Sequence, residues 1–171
     1  QAQVAPDRLD PRAQGNPFFS EEIAYALRDS GIIGIQGDSV VTSHTAGELA
    51  EIDFPETVQG VVTRRVDRLP APHQLTLKVA SVIGRIFILN ILANVHPARV
   101  AKSTLAEYLQ TLTRQGITDL ESPDPEIAYF FKHVIIQEVV YNLLTFSQRK
   151  QLHCAIANWY ETNHAGDLTP H

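Results

Sequence analysis

Between Leu69 and Phe131 the hydrophobic pattern changes period in a fixed order, and that order limits the fold more than any other feature of the chain. "LPAP" at 69–72 breaks the helical pattern before it and marks a boundary between two units. Leu75, Val79, Val82 and Ile83 then predict a helix ending at Gly84. "FILNILANV" predicts a short apolar helix stopped ahead of Pro97. Ser103 is placed to cap a third helix carrying Leu105, Leu109 and Leu112, closed by Gly116. Two strand-like runs follow, "ITDLE" and "IAYFF", around "SPDP". Helix, helix, helix, hairpin is the order of a winged helix-turn-helix.

The first half is sparser. Residues 1–14 are polar with two prolines, and read as an extended lead-in. In "GNPFFSEEIAYAL", residues 15–27, Asn16 can cap a helix whose first turn accepts Pro17. Glu21 and Glu22 lie near its positive end, and Phe19, Ile23, Ala26 and Leu27 share a face. Gly31 ends it. Two apolar runs around Gly37-Asp38 predict a hairpin. After a polar connection over 43–54, Pro55-Glu56 opens a helix with Val58, Val61, Val62, Val66 and Leu69 on one face. Beyond the hairpin, "HVIIQEVVYNLL" is apolar nearly all round, which implies burial on several sides. "SQRKQLHCAIANWYET" is a final amphipathic helix whose Leu152, Ile156, Trp159 and Tyr160 face a neighbour. The expected fold is mainly α: a lead-in over 1–14, a helical subdomain with a small hairpin over 15–69, a winged helix with a short β-hairpin wing over 70–146, and a C-terminal helix and tail over 147–171, which can open a helical-repeat array.

Composition excludes several classes. With 44% hydrophobic and 19% charged residues the chain is an ordinary globular one. Its longest apolar runs are interrupted by Gly84, Arg85 and Asn90, short of the roughly 18 residues that cross a bilayer. Cys154 is the single cysteine, which excludes an internal disulfide and fits a reducing, cytoplasmic setting. The absence of methionine marks the chain as a piece of something longer. A net charge of −5 speaks against nucleic acid or anionic membrane as a partner. The third helix of the winged helix, 103–115, carries only Glu107 and Arg114 as charges, and the wing tip holds acids and no base, so the electrostatic part of DNA binding is missing.

No phosphate-binding loop, nucleophile elbow, zinc-binding helix or cysteine pair is present, and the seven histidines are not paired at ligand spacing. No catalytic residue and no metal ligand is assigned. Three places keep two readings each. Gly15-Asn16-Pro17 is a turn that launches a helix, or an apolar surface against which a purine packs beside backbone groups. His133, after "YFFK" and at the head of a helix, is a cap or packed histidine, or a donor to a phosphate at a helix N-terminus. Arg64 and Arg65 form a solvated face with charge pairs such as Arg64 with Asp67, or reach a phosphate.

Five blocks in fixed order carry a resemblance: "GNPFFSEEIAYALRDSG", "FPETVQGVVTRRVDRLP", "LKVASVIGRIF", "AYFFKHVIIQEVVYNLL" and "RKQLHCAIANWYE". Over about residues 13–162 the chain resembles the C-terminal lid and winged-helix part of the signal-transducing AAA+-related (STAND) ATPases. The version it is most similar to is attached to class III adenylate/guanylate cyclases and related multidomain signalling regulators. The resemblance implies a lid and winged helix that close over ATP or ADP, with Mg, bound mainly by an upstream ATPase core of the same chain. It implies adenine contact by Gly15, Asn16 and Pro17, with the Phe18-Phe19 pair packing the lid and holding the turn, and diphosphate contact by His133. The better-studied branch of the family has an aspartate after that histidine, where Val134 stands here. No activity is expected of this segment alone. Two other expectations compete with it: a winged-helix DNA-binding transcription regulator, and a protein-interaction module that docks partners through the C-terminal helix without a ligand.

Overall fold

A computed structural model describes residues 2–3, 16–36, 39–42 and 57–163. It is mainly helical, with two small antiparallel sheets, and divides into two compact units between Arg68 and Leu69.

In the first unit, helix α1 (Pro17–Asp29) ends where Gly31 was expected to end it. Gly31 has φ +71, and the amides of Gly31 and Ile32 bond back to the carbonyls of Arg28 and Leu27. That is the double bond of a glycine-terminated helix. Strands β2 (Ile33–Gln36) and β3 (Ser39–Thr42) then pair antiparallel, with Gly34 opposite Val41, which is the expected hairpin. Part of the lead-in is not loose: strand β1 (Ala2–Gln3) pairs with the free edge of β3. Helix α2 (Val58–Asp67) starts from Thr57, whose hydroxyl accepts from the Gly60 amide. The expected opening at Pro55-Glu56 and the connection over 43–54 lie outside the described residues.

Helices α1 and α2 pack through Phe19, Ile23, Ala26, Leu27 and Val61, with Ile33 of the hairpin in the same cluster. Within this apolar face lies an ion pair. Arg65 donates to Glu22 at 2.6 Å, with 2% and 0% of the two side chains exposed, and its Nε reaches Asp29 at 3.4 Å. The Tyr25 ring lies against the guanidiniums of both Arg65 and Arg28, at 4.7 and 4.8 Å from its centroid. Arg65 is therefore no part of a solvated face, and it is committed to carboxylates rather than open to a phosphate. Glu22 turns inward instead of sitting at the helix mouth.

The second unit has the topology of a winged helix. Helix α3 (Ala71–Ile83) is followed by strand β4 (Ile86–Ile88), helix α4 (Leu89–Val95), helix α5 (Lys102–Arg114), strands β5 (Thr118–Ser122) and β6 (Ala128–Phe131), helix α6 (Val134–Asn142) and helix α7 (Phe146–Asn163). The sheet order is β4-β6-β5. The segment expected to be one helix from Phe87 is thus divided. Ile86, Phe87 and Ile88 are branched or aromatic, and they pair with Phe130, Tyr129 and Ala128. That pairing covers an edge of β6 which helix would have left open. Ser103 does not cap α5: the helix begins one residue earlier, after Ala101, with no side-chain cap. Gly116, at φ +72, closes it as expected, with Ile117 bonding back to Leu112.

The core of this unit is Leu77, Leu92, Leu105, Leu109, Leu112 and Phe131, all fully buried. Helix α6 buries only Ile136, Val139 and Val140; Val134 is half exposed, so the expectation of burial on several sides is corrected to one stripe. On α7 no residue is fully buried, and Leu152, Ile156 and Trp159 are half-buried while the helix packs on α3 and α4. Tyr160 stays exposed. No helix among the described residues is long and apolar enough to cross a membrane.

Removing one partner of the buried pair strands the other charge. Arg65→Met or Glu22→Gln alone is expected to cost about 3–5 kcal/mol, whereas Arg65→Met with Glu22→Leu stays within about 1–2 kcal/mol of the parent. Denaturant titration of the four proteins checks this, and additive costs would show that the pair is not coupled.

Candidate functional site

The sequence places candidate residues at two helix mouths, one in each unit. Asn16 is the N-cap of α1. Its Oδ1 accepts from the amides of Phe18 and Phe19 at 3.1 and 3.3 Å, and its carbonyl accepts from the Ser20 amide. Asn16 and Pro17 therefore launch the helix, as the first reading of the turn has it. Pro17 occupies the first helical position, where its missing N–H leaves nothing unsatisfied. Both residues are exposed. Phe19 anchors them from beneath, buried among Ile23, Ala26 and Val61, while Phe18 is half-buried. Gly15 lies outside the described residues.

His133 is the N-cap residue of α6, with extended backbone (φ −128, ψ 139). Its carbonyl accepts from the Ile136 amide, but its side chain makes no capping bond to the helix, so a side-chain cap is not what the imidazole provides. The ring is half-buried. No acid stands in the first turn of α6, so the positive end of the helix is not neutralised from within the helix. Val134, directly after His133, is half exposed. Asn16 and Pro17 belong to the first unit and His133 to the second, and each is positioned by its own unit alone.

The rest of the winged-helix surface bears on nucleic acid. Lys102, Glu107, Gln110 and Arg114 are exposed on α5, and Glu121, Asp124 and Glu126 are exposed around the wing. The helix that would enter a groove carries two cations and one acid, and the wing carries only acids. Phosphate contacts need cations at both places, and the wing supplies none among these residues. Among the described residues no group of three or more His, Cys, Asp or Glu is placed to hold a metal ion.

Sequence reasoning overlooked the Glu22–Arg65–Asp29–Tyr25 cluster. The signal was available. Glu22 lies three residues after Phe19 and four before Ala26, on the apolar face of α1, and Arg65 lies four after Val61 on that of α2. Opposite charges on two facing apolar stripes are a pairing signal.

No family model matches the chain. An uncharacterized protein of Rhizobium meliloti (strain 1021) is 28% identical over 154 residues. The match covers 88% of this chain, and the chain spans only 14% of that relative's length.

The cap bonds make a prediction. Asn16→Ala loses the acceptor of two amides and is expected to destabilise the first unit by about 1 kcal/mol, with Asn16→Asp restoring most of it. Thermal melts of the two variants check this; no difference between them would mean that Oδ1 is not the acceptor.

Proposed function

We propose that this chain is the lid and winged-helix segment of a nucleotide-sensing signal-transduction ATPase, in a cytoplasmic multidomain regulator of the adenylate/guanylate cyclase-associated kind. One observation carries the reading. The sequence blocks of the resemblance fall on a helix–hairpin–helix unit followed by a winged helix, in the order it implies, with Asn16-Pro17 exposed at one helix mouth and a half-buried His133 at another. A relative of which this segment is a small part suits a multidomain parent.

In this proposal the adenine of ATP or ADP packs on Pro17 beside the backbone of Gly15 and Asn16. Capping has already committed Asn16 Oδ1, so base recognition falls to the proline ring and the main chain. His133 donates to the diphosphate, aided by the positive end of α6, whose first turn holds no acid. Phosphate loop and magnesium ligands come from the upstream core. Val134 replaces a carboxylate at the head of α6, which removes a repulsion toward phosphate from that turn. The segment itself has no catalytic role. It responds to which nucleotide is held, because a ligand shifts an equilibrium only by its differential affinity for the two arrangements. A tenfold bias needs about 1.4 kcal/mol, within reach of one charge-assisted hydrogen bond.

A second reading, docking of a protein partner on α7, rests on the exposed Phe146 and Tyr160 at the two ends of that helix. The DNA-binding reading is disfavoured by the acidic wing.

The test uses the parent protein with a fluorescent ADP analogue. His133→Ala is expected to speed ADP release roughly tenfold or more while changing ATP affinity much less. Equal losses for both nucleotides, or no adenine nucleotide bound by the parent at all, would overturn the proposal.

A further inference from the structure

His96 closes α4 and lies in the core of the second unit with 3% of its surface exposed. Its Nε2 stands 3.4 Å from Thr76 Oγ1 in α3. The Thr76 hydroxyl has a single proton, and it donates that proton to the Pro72 carbonyl at 2.9 Å. Thr76 is therefore the acceptor, which assigns the imidazole proton to Nε2. Nδ1 is left as a buried lone pair, with no hydrogen-bond partner among the described residues.

The ring thus reaches, through one hydroxyl, the turn where the second unit begins. Pro70 is the N-cap of α3 and accepts from the amides of His73 and Gln74, and the Gln74 side chain donates to the Leu69 carbonyl. Pro72, one turn into this system, is held by Thr76, and Thr76 by His96. We infer that His96 is a proton-sensitive clamp: as the neutral imidazole it pins the first turn of α3 to the end of α4, and on protonation at Nδ1 it releases that turn.

The carboxyl end of α4, which His96 closes, favours positive charge, but no carboxylate among the described residues pairs with the ring. The elements packed on α4 are α3, α5, α7 and β4. They carry two acids, Glu107 and Glu161, both exposed, and neither bonds the ring. Their cations are Lys78 on α3, Lys102 and Arg114 on α5, and Arg149 and Lys150 on α7. Two further histidines stand on these elements. His153 on α7 bonds Tyr141 at 3.1 Å. His73, in the first turn of α3, meets the Tyr108 ring of α5 in a tilted contact at 4.6 Å between centroids, and its Nδ1 also lacks a partner among the described residues. The positive end of α3 disfavours a second proton on His73, which lies in its first turn.

Burial holds the titration of both His96 and His73 below the ordinary histidine range. A histidine depressed in the folded state contributes stability that is complete above its unfolded value, near 6.5. That stability is lost as pH falls from there toward the folded value, because the unfolded chain takes up the proton first. The clamp is therefore closed at neutral pH and weakens on the acid side of about 6.5.

The experiment follows the His96 ring by NMR in the 171-residue chain from pH 8 to 5, alongside amide exchange over residues 71–77. The native ring is expected to stay neutral well below 6.5, while protection of those amides falls about tenfold between pH 7 and 5. His96→Gln keeps a donor for Thr76 but cannot titrate, and is expected to flatten that fall. His73→Gln is expected to leave most of it. Titration of the His96 ring near 6.5 with the turn still protected would overturn the clamp, and that observation needs only the unmodified chain. An unchanged acid response in His96→Gln would overturn it as well.

Discussion

The second unit depends on a four-residue strand having two partners. β6 is paired along one edge by β4 and along the other by β5. Leu120, on β5, and Phe87, on β4, both stand opposite Tyr129. Because β4 comes from between α3 and α4, this pairing joins segments about forty residues apart and closes the helices over one face of the sheet. Phe87 and Phe131 meet on that face at 5.5 Å between ring centroids, both fully buried. Each such ring contributes about 1.5–3 kcal/mol by burial. The backbone of β6 then delivers Lys132, whose amide bonds to the Ile117 carbonyl, and His133 at the head of α6. The placement of His133 is a consequence of strand pairing, two residues downstream of it.

In the first unit the organising interaction is electrostatic and buried. A Leu–Leu contact between α1 and α2 would have held them as firmly, since a buried ion pair seldom exceeds a well-packed apolar one in net stability. A charge pair tolerates one register only. If α2 rotates by one residue relative to α1, Arg65 loses Glu22 and both ions are desolvated without compensation. The pair therefore selects a single docking of α2 on α1, and Asn16 and Pro17, at the other end of the same rigid helix, inherit that choice. The Tyr25 ring between Arg28 and Arg65, and Asp29 bonded to both arginines, extend the same selection toward the surface.

What was legible followed from local rules. The glycine ends at Gly31 and Gly116, the Asn16 cap, the hairpin around Gly37-Asp38 and the helix–helix–helix–hairpin order all come from chemistry within a few residues. What was not legible depended on partners distant in the chain. Strand β4 reads as helix because "FILNILANV" is uniformly apolar, and periodicity cannot separate a buried strand from a buried helix. Only β6, forty residues on, makes it a strand. Arg65 reads as surface because charged residues usually are, and only Glu22 makes it core. The candidate site follows the same division: Asn16 and Pro17 sit at a helix mouth by local rules, while the half-buried setting of His133 and the exposure of Val134 needed the sheet.

The charge distribution bears on what a winged helix of this kind can do. A groove-reading module needs cations around its third helix and at its wing, and here the wing presents Glu121, Asp124 and Glu126. Against a polyanion those groups repel from several directions at once. Against a single nucleotide they need not, because the interaction is local and falls off within about 8–10 Å at physiological salt. The head of α6 has no acid in its first turn, while Asp119, Glu121, Asp124 and Glu126 lie on β5 and around the wing. Cations and acids are equal in number over residues 70–146, six of each, so any repulsion of a polyanion comes from where the acids sit, at the wing, and not from net charge.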